Sequence, residues 1–282
     1  MKFFEKGELK LLWPFYLDAL LSTMLFFIPI YFIVYFRNLD FSLFQISILL
    51  TIPSLVSLIS EIPTGAISDL YGRKFSVLLG IILQAISVTI LYFVTSYGAI
   101  VFGLAFLGFA SSFMSGASDA WVTDLINSKN KNLLTKFFSK SQSIASAGLV
   151  VSGLLGALLV KQFSTKIIWP TAAISFLISF IILRHGKENF IPKKTSMKNA
   201  YSDVKKQTKT SIKYSWKEKH IFSLILASIL ITMAYAPLDI GFTPLLQDLN
   251  FPEYAFGYLW SAISLVGVIA PLITQKIVHK NK

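Results

Sequence analysis

Long apolar runs alternate with short polar gaps along this chain. Eight runs stand out, at about 11–36, 43–67, 75–95, 99–126, 141–160, 167–183, 221–246 and 255–277. Each is close to the roughly 20 residues that cross a bilayer core. Backbone polar groups must be satisfied internally in lipid, so runs this long and apolar are expected to be helices. The pattern predicts an all-α, polytopic membrane protein with eight spans. The first run is too long for the apolar part of a signal peptide, and no small-residue cleavage site follows it.

Composition agrees: 54% of residues are apolar and only 14% charged, where soluble domains carry about 25% charged residues. The net charge of +12 could point to nucleic acid, but its distribution argues against that. A soluble nucleic-acid binder would spread Lys and Arg over a polar fold; here they fill the gaps between apolar runs. All but three of the 26 Lys and Arg lie on one side of the expected membrane, the exceptions being Arg37, Lys161 and Lys166. The positive-inside bias therefore places both termini and the long basic linker in the cytoplasm. The chain has no Cys and three His, so Cys-based metal or thiolate chemistry is excluded and a His site is not expected. No Ser/His/Asp constellation is present, and neither an enzyme nor a bound cofactor is expected.

Three organisational units follow: a six-span bundle over 1–185, a basic linker over 186–220 and a two-span unit over 221–282. The linker is Lys-rich, with Tyr201, Tyr214 and Trp216 interleaved, and reads as an interfacial amphipathic helix or a tether on the inner leaflet. Tyr97, Trp121, Trp169 and Trp260 read as interface anchors or packing.

The most specific stretch is Gly65-Ala-Ile-Ser-Asp69-Leu-Tyr-Gly72-Arg73-Lys74, in the gap between the second and third runs. Glycines allow close approach or a tight turn, Asp69 suits a helix boundary, and Arg73 and Lys74 suit an anionic leaflet. A plain positive-inside gap would contain similar residue types, but not at this spacing. The stretch resembles the loop between helices 2 and 3 of the major facilitator superfamily of secondary transporters. That resemblance implies a fold of two repeated bundles and alternating access. It also implies that Asp69 pairs with a late helix of the second bundle.

A weak internal repeat fits that fold. Phe41 matches Phe251, and Ser54-Leu55-Val56 matches Ser264-Leu265-Val266. Ile59, Thr64 and Ile67 match Ile269, Thr274 and Ile277. Gly65, Asp69 and Gly72 fall opposite Gln275, His279 and Lys282, so the motif itself is not repeated. Against twelve family helices, the chain reads as six plus two, lacking the last four. A truncated remnant or one half of a split pair is therefore an alternative to a working transporter.

In the fifth run, Gly148, Ser152, Gly153, Gly156 and Ala157 are similar to the family's antiporter motif, with its proline replaced. The same small residues would serve close helix packing alone. Ionisable residues inside spans are candidates for substrate or proton paths. Here they are Asp18 (with Ser22 one turn on), Glu61, Asp119 and Asp239; for Glu61 and Asp119, an interfacial or hydrogen-bonding acid is an equal reading. The fourth run lacks the arginine that proton-coupled family members often carry. The expected function is secondary active transport of a small molecule across a bacterial plasma membrane. Proton-driven, multidrug-like efflux is favoured over uptake by a symporter. Expected partners are that substrate, protons, the lipid bilayer, and a partner half or second copy; nucleic acid is not among them.

Overall fold

The structure, a computed structural model, describes residues 4–5, 7–129, 133–190 and 197–280; the side chains of 197–198, 200, 203, 207, 212, 235–239, 272 and 274–280 lie outside that description. Eleven α-helices and two short 3-10 turns make up the described secondary structure. They are α1 (Glu8–Met24), α2 (Ile28–Arg37), α3 (Leu43–Tyr71), α4 (Arg73–Phe93), α5 (Tyr97–Ser112), α6 (Ala117–Asn127), α7 (Leu133–Phe163), α8 (Ile168–Leu183), α9 (Met197–Lys217), α10 (Lys219–Asp248) and α11 (Phe256–Lys280). Among the described residues, seven helical stretches are long and apolar enough to cross a membrane. The seventh expected span coincides with α10, whose shorter apolar stretch is Lys219–Ala234.

Two spans are broken. The first consists of α1 and α2, with Leu25–Phe27 between them; Pro29 near the start of α2 has no N–H to continue the ladder. The fourth consists of α5 and α6, separated by a turn over 113–116 that Gly116 closes at φ +67°. Ser111 and Ser112 donate their hydroxyls to Gly108 O (2.8 Å) and Phe109 O (2.7 Å), a back-bonding that bends helices. The sequence pattern predicts continuous spans at both places.

α3 begins in a capping box formed by Ser42 and Gln45 and packs along α5; α4 packs on α5 and α8, α1 on α7 and α8, and α11 along α7. The small residues of α7 make these approaches possible. A side chain at Gly148 would run into Thr23 of α1, at Gly153 into the α11 backbone at Gly257, and at Gly156 into the Tyr31 ring. Serine hydroxyls then join helices through backbone carbonyls: Ser261 to Val150 O (2.7 Å), Ser143 to Val268 O (2.7 Å), Ser87 to Gly103 O (2.8 Å) and Ser175 to Ser22 O (2.6 Å). Lipid tails are as apolar as Leu, so such contacts, rather than water exclusion, discriminate one helix pairing from another.

Two aromatic-rich cores lie along the bundle. One gathers Phe27, Tyr31, Tyr35, Phe36 and Trp169. The other gathers Leu12, Phe15, Trp121 and Phe137 near the Gly65–Lys74 motif. Trp121 and Trp169 are therefore packing residues. The fifth span starts earlier than its apolar run: Lys140 belongs to α7 and is buried, not part of a polar loop.

Candidate functional site

The Gly65–Lys74 stretch is hardly a loop. Gly65 to Tyr71 are the last two turns of α3, Gly72 alone turns the chain at φ +100°, and α4 starts at Arg73. Only glycine takes that φ without strain. Arg73 and Lys74 differ from the expectation that they reach for lipid headgroups; both turn inward. Arg73 Nη1 donates to Ala120 O (2.7 Å) and forms an ion pair with Asp124, both on α6. Lys74 Nζ donates to Gly186 O (2.8 Å).

The segment after α8 straps across this corner. Lys74 N–H donates to Glu188 Oε1 (2.9 Å), so the Glu188 carboxylate sits at the α4 N-terminus, where the helix dipole favours an anion. Trp121 Nε1 donates to Lys187 O (2.8 Å) and Asn189 Nδ2 to Ser128 Oγ (3.0 Å). Glu188 was not singled out in the sequence, where it is one acid in a basic linker.

Two cavities meet at the motif. The larger, about 590 Å³, lies between the α3 end, the break in the fourth span and the linker helix α9; the smaller, about 250 Å³, lies under the strap. Asp69 and Arg73 border both. The helix facing this stretch of α3 is α9: Val204 lies 3.6 Å from where a Gly65 side chain would begin, and Thr208, Ser211 and Ser215 share the larger cavity. The linker is thus helical as expected, with one side against α3 and Lys205, Lys206, Lys209 and Lys213 exposed.

Glu61 stands next to the break. It is exposed on α3, four residues past the helix midpoint at Ser57 and so about 6 Å along the axis. Ser115, in the turn between α5 and α6, donates to Glu61 Oε1 (3.0 Å). Glu61 also borders a third cavity of about 470 Å³, with Pro53, Ser54, Ser57, Leu58 and Ser111. The break itself is satisfied from within the protein. Ser76 Oγ donates to Phe113 O (2.8 Å), and Thr64 Oγ1 lies 3.1 Å from Ser112 O while also bonding Ser60 O. Ser76 and Thr64 are both buried. An interrupted backbone at membrane depth needs such partners.

The other candidate acids are not gathered there. Asp18 lies in the interface of α1 and α8 beside Ser179, and its Oδ1 is buried without a hydrogen-bond partner. The Ser22 hydroxyl donates to the Asp18 backbone oxygen (2.5 Å), not to its carboxylate. Asp119 is exposed in the first turn of α6, where the dipole favours its charge. The side chain of Asp239 lies outside the described residues. In the α7 stripe, Ser152 donates to Phe26 O (3.3 Å), supplying the break in the first span with a partner. No group of three or more His, Cys, Asp or Glu able to hold a metal occurs among the described residues.

Bundled apolar helices of membrane-spanning length define a multi-pass membrane protein. Comparison with known proteins narrows this. A family model of the Major Facilitator Superfamily matches residues 15–282, and the chain belongs to that superfamily. An uncharacterized MFS-type transporter of Bacillus subtilis, YxaM, is 21% identical over 263 residues, covering 90% of this chain and 64% of the relative. A bicyclomycin resistance protein homolog of Haemophilus influenzae is 25% identical over 284 residues, covering 97% and 65%. An uncharacterized MFS-type transporter of Methanocaldococcus jannaschii, MJ1560, is 22% identical over 173 residues, covering 61% and 43%. The chain thus spans a little under two-thirds of the length of the first two relatives.

Proposed function

We propose that this chain belongs to the working part of a secondary active transporter that expels a small molecule from the cytoplasm in exchange for protons. The observation that carries this reading is the carboxylate of Glu61 at membrane depth, opening on a cavity beside an interrupted span. Discontinuous helices beside polar groups near mid-membrane are a recurring way to build substrate and ion sites. The Lys and Arg bias puts the motif end and both termini on the cytoplasmic side of a plasma membrane. The Gly65–Lys74 corner then acts at the inner surface. Its pairs, Arg73 with Asp124 and Lys74 with Gly186, hold one arrangement of α4, α6 and the segment after α8 and are exchanged in the other. Asp18 and Glu61 are the proposed proton-carrying acids. The efflux direction is supported by the Haemophilus influenzae relative, whose name refers to antibiotic resistance, and by the small-residue stripe of α7.

The test is ethidium accumulation in a bacterial host stripped of its own efflux pumps. Expression of the chain is expected to lower accumulation, and a protonophore to restore it. Glu61→Gln and Asp18→Asn are each expected to reduce export at least about tenfold, the scale of one lost charge-assisted contact. Raised accumulation would instead identify an uptake system. Accumulation equal to that of the empty vector would overturn transport by this chain.

A further inference from the structure

We infer that α9 docks a stripe of lysines on anionic phospholipid headgroups, and that these headgroups keep α9 seated as a wall of the 590 Å³ cavity. The inference is independent of what the chain transports.

α9 carries six Lys against one acid, Asp203. Lys205, Lys209, Lys213 and Lys217 recur at every fourth residue and so share one side of the helix, with Lys206 beside them. All five are exposed, and among the described residues none of them forms an ion pair. Like charges four residues apart destabilise a helix, and a counter-charge spread along the stripe removes that repulsion. The stripe runs about 18 Å from Lys205 to Lys217. A single small anion meets only part of it, whereas a layer of headgroups meets all of it.

The partner is a lipid surface because of where α9 lies. It follows the apolar α8, and only Glu218 separates it from α10. Tyr214 and Trp216 are 57% and 71% exposed, and aromatic rings among lysines suit the headgroup level. Other cations of this end are occupied within the protein. Arg73 is held by Ala120 O and Asp124, Lys74 by Gly186 O, Lys136 by Glu5 and Lys140 by Glu8. The motif cations turn inward, and the lysines of α9 face outward in their place.

The opposite stripe of α9 explains why the seating needs lipid. Val204 lies against Gly65, but Thr208, Ser211 and Ser215 border the cavity. Hydroxyl side chains bordering a cavity give α9 little packing against α3. Attraction of lysines to an anionic leaflet adds up along the stripe and is screened by salt.

The test uses the purified full chain in phosphatidylcholine nanodiscs. The chain has no Cys, and Ser202 is exposed three residues before Lys205, so Ser202→Cys carries a bimane fluorophore beside the stripe. Nitroxide-labelled phosphatidylglycerol is expected to quench it at least about twofold more than nitroxide-labelled phosphatidylcholine at equal mole fraction, an advantage that falls as salt is raised. Changing Lys205, Lys206, Lys209 and Lys213 together to Gln, a residue of similar helix propensity, is expected to erase the advantage. Changing the same four to Arg is expected to keep it. Equal quenching by the two lipids, an advantage that survives in the Gln variant, or its loss in the Arg variant would overturn the inference. So would its abolition by soluble polyglutamate at constant ionic strength, which would assign the stripe to an acidic protein. Seating is read from Ser211→Cys on the cavity wall. Its labelling by an uncharged maleimide, relative to Ser96→Cys, is expected to be at least about twofold slower in phosphatidylglycerol-rich nanodiscs than in neutral ones. Equal relative rates would overturn the seating.

Discussion

At the scale of single residues, the most consequential contact joins α1 and α7. Glu8 is 1% exposed and Lys140 5%. Their ion pair is completed by the Tyr16 hydroxyl donating to Glu8 Oε1 (2.6 Å) and the Glu5 N–H donating to Oε2 (2.7 Å). Removing one partner of a buried pair leaves an uncompensated charge, which costs about 3–5 kcal/mol. Lys140→Met is therefore expected to lower the thermal midpoint of the detergent-solubilised protein sharply. The double variant Glu8→Leu with Lys140→Met is expected to recover most of that loss. Additive effects of the two substitutions would refute the coupling. The sequence did not reveal this pair. Lys140 reads as one of several lysines in a polar gap, and Glu8 as a residue of a mixed-charge terminus; only the extension of α7 back to Leu133 brings them together. Glu61 was legible, because an acid inside an apolar run is conspicuous. Its partner Ser115 was not, since nothing in the run marks which serine the fold turns toward it.

At the scale of elements, positions and types of helices follow the hydrophobic runs closely, while the interruptions do not. A hydropathy pattern counts apolar residues, and the turn over 113–116 contains Phe113 and Met114, so the fourth run stays apolar through its own break. The local chemistry was nonetheless present: two back-bonding serines followed by Ser115 and Gly116. The break is held by α4. Ser76 donates to Phe113 O, and a side chain at Gly80 would begin 2.9 Å from Ala110 O. Ser76→Ala would leave a buried carbonyl unsatisfied and is expected to cost about 1–3 kcal/mol, read as a lowered unfolding midpoint. Gly80→Leu would push α4 off the turn, and is expected to weaken ethidium export more than Ser76→Ala does. Export unaffected by Gly80→Leu would show that the α4–α5 contact at the break has no part in transport. Pro53 and Gly108 make a comparable close approach between α3 and α5, where a glycine side chain would run into the Pro53 backbone. The 470 Å³ cavity is therefore framed by elements whose spacing is fixed by small residues and prolines.

At the scale of the whole molecule, the charge bias and the helix order make a joint claim about orientation. Alternating spans put the turn at Ser96 on one side of the membrane and α9 on the other. Both Ser96 and Ser202 are exposed, and the chain contains no Cys, so single cysteines report on a clean background. In intact cells, a membrane-impermeant maleimide is expected to label Ser96→Cys and not Ser202→Cys; in lysed cells it should label both. The reverse result would invert the topology and move the Gly65–Lys74 corner to the outer surface. The efflux reading depends on this outcome. With the corner inside, the Glu61 cavity and the larger cavity beneath α9 lie toward the cytoplasm, where a substrate to be expelled must enter. α9 then borders the approach to that larger cavity, with Thr208, Ser211 and Ser215 on its wall and lysines on its free side. A cationic substrate passing α9 would meet its exposed lysines, whereas one arriving from the bilayer would not. Raising ionic strength screens exposed charges, so it should speed entry if the α9 route is used and leave it unchanged if the substrate arrives through lipid. Ethidium export measured in everted vesicles at low and high salt separates the two routes, and salt independence is the expected result.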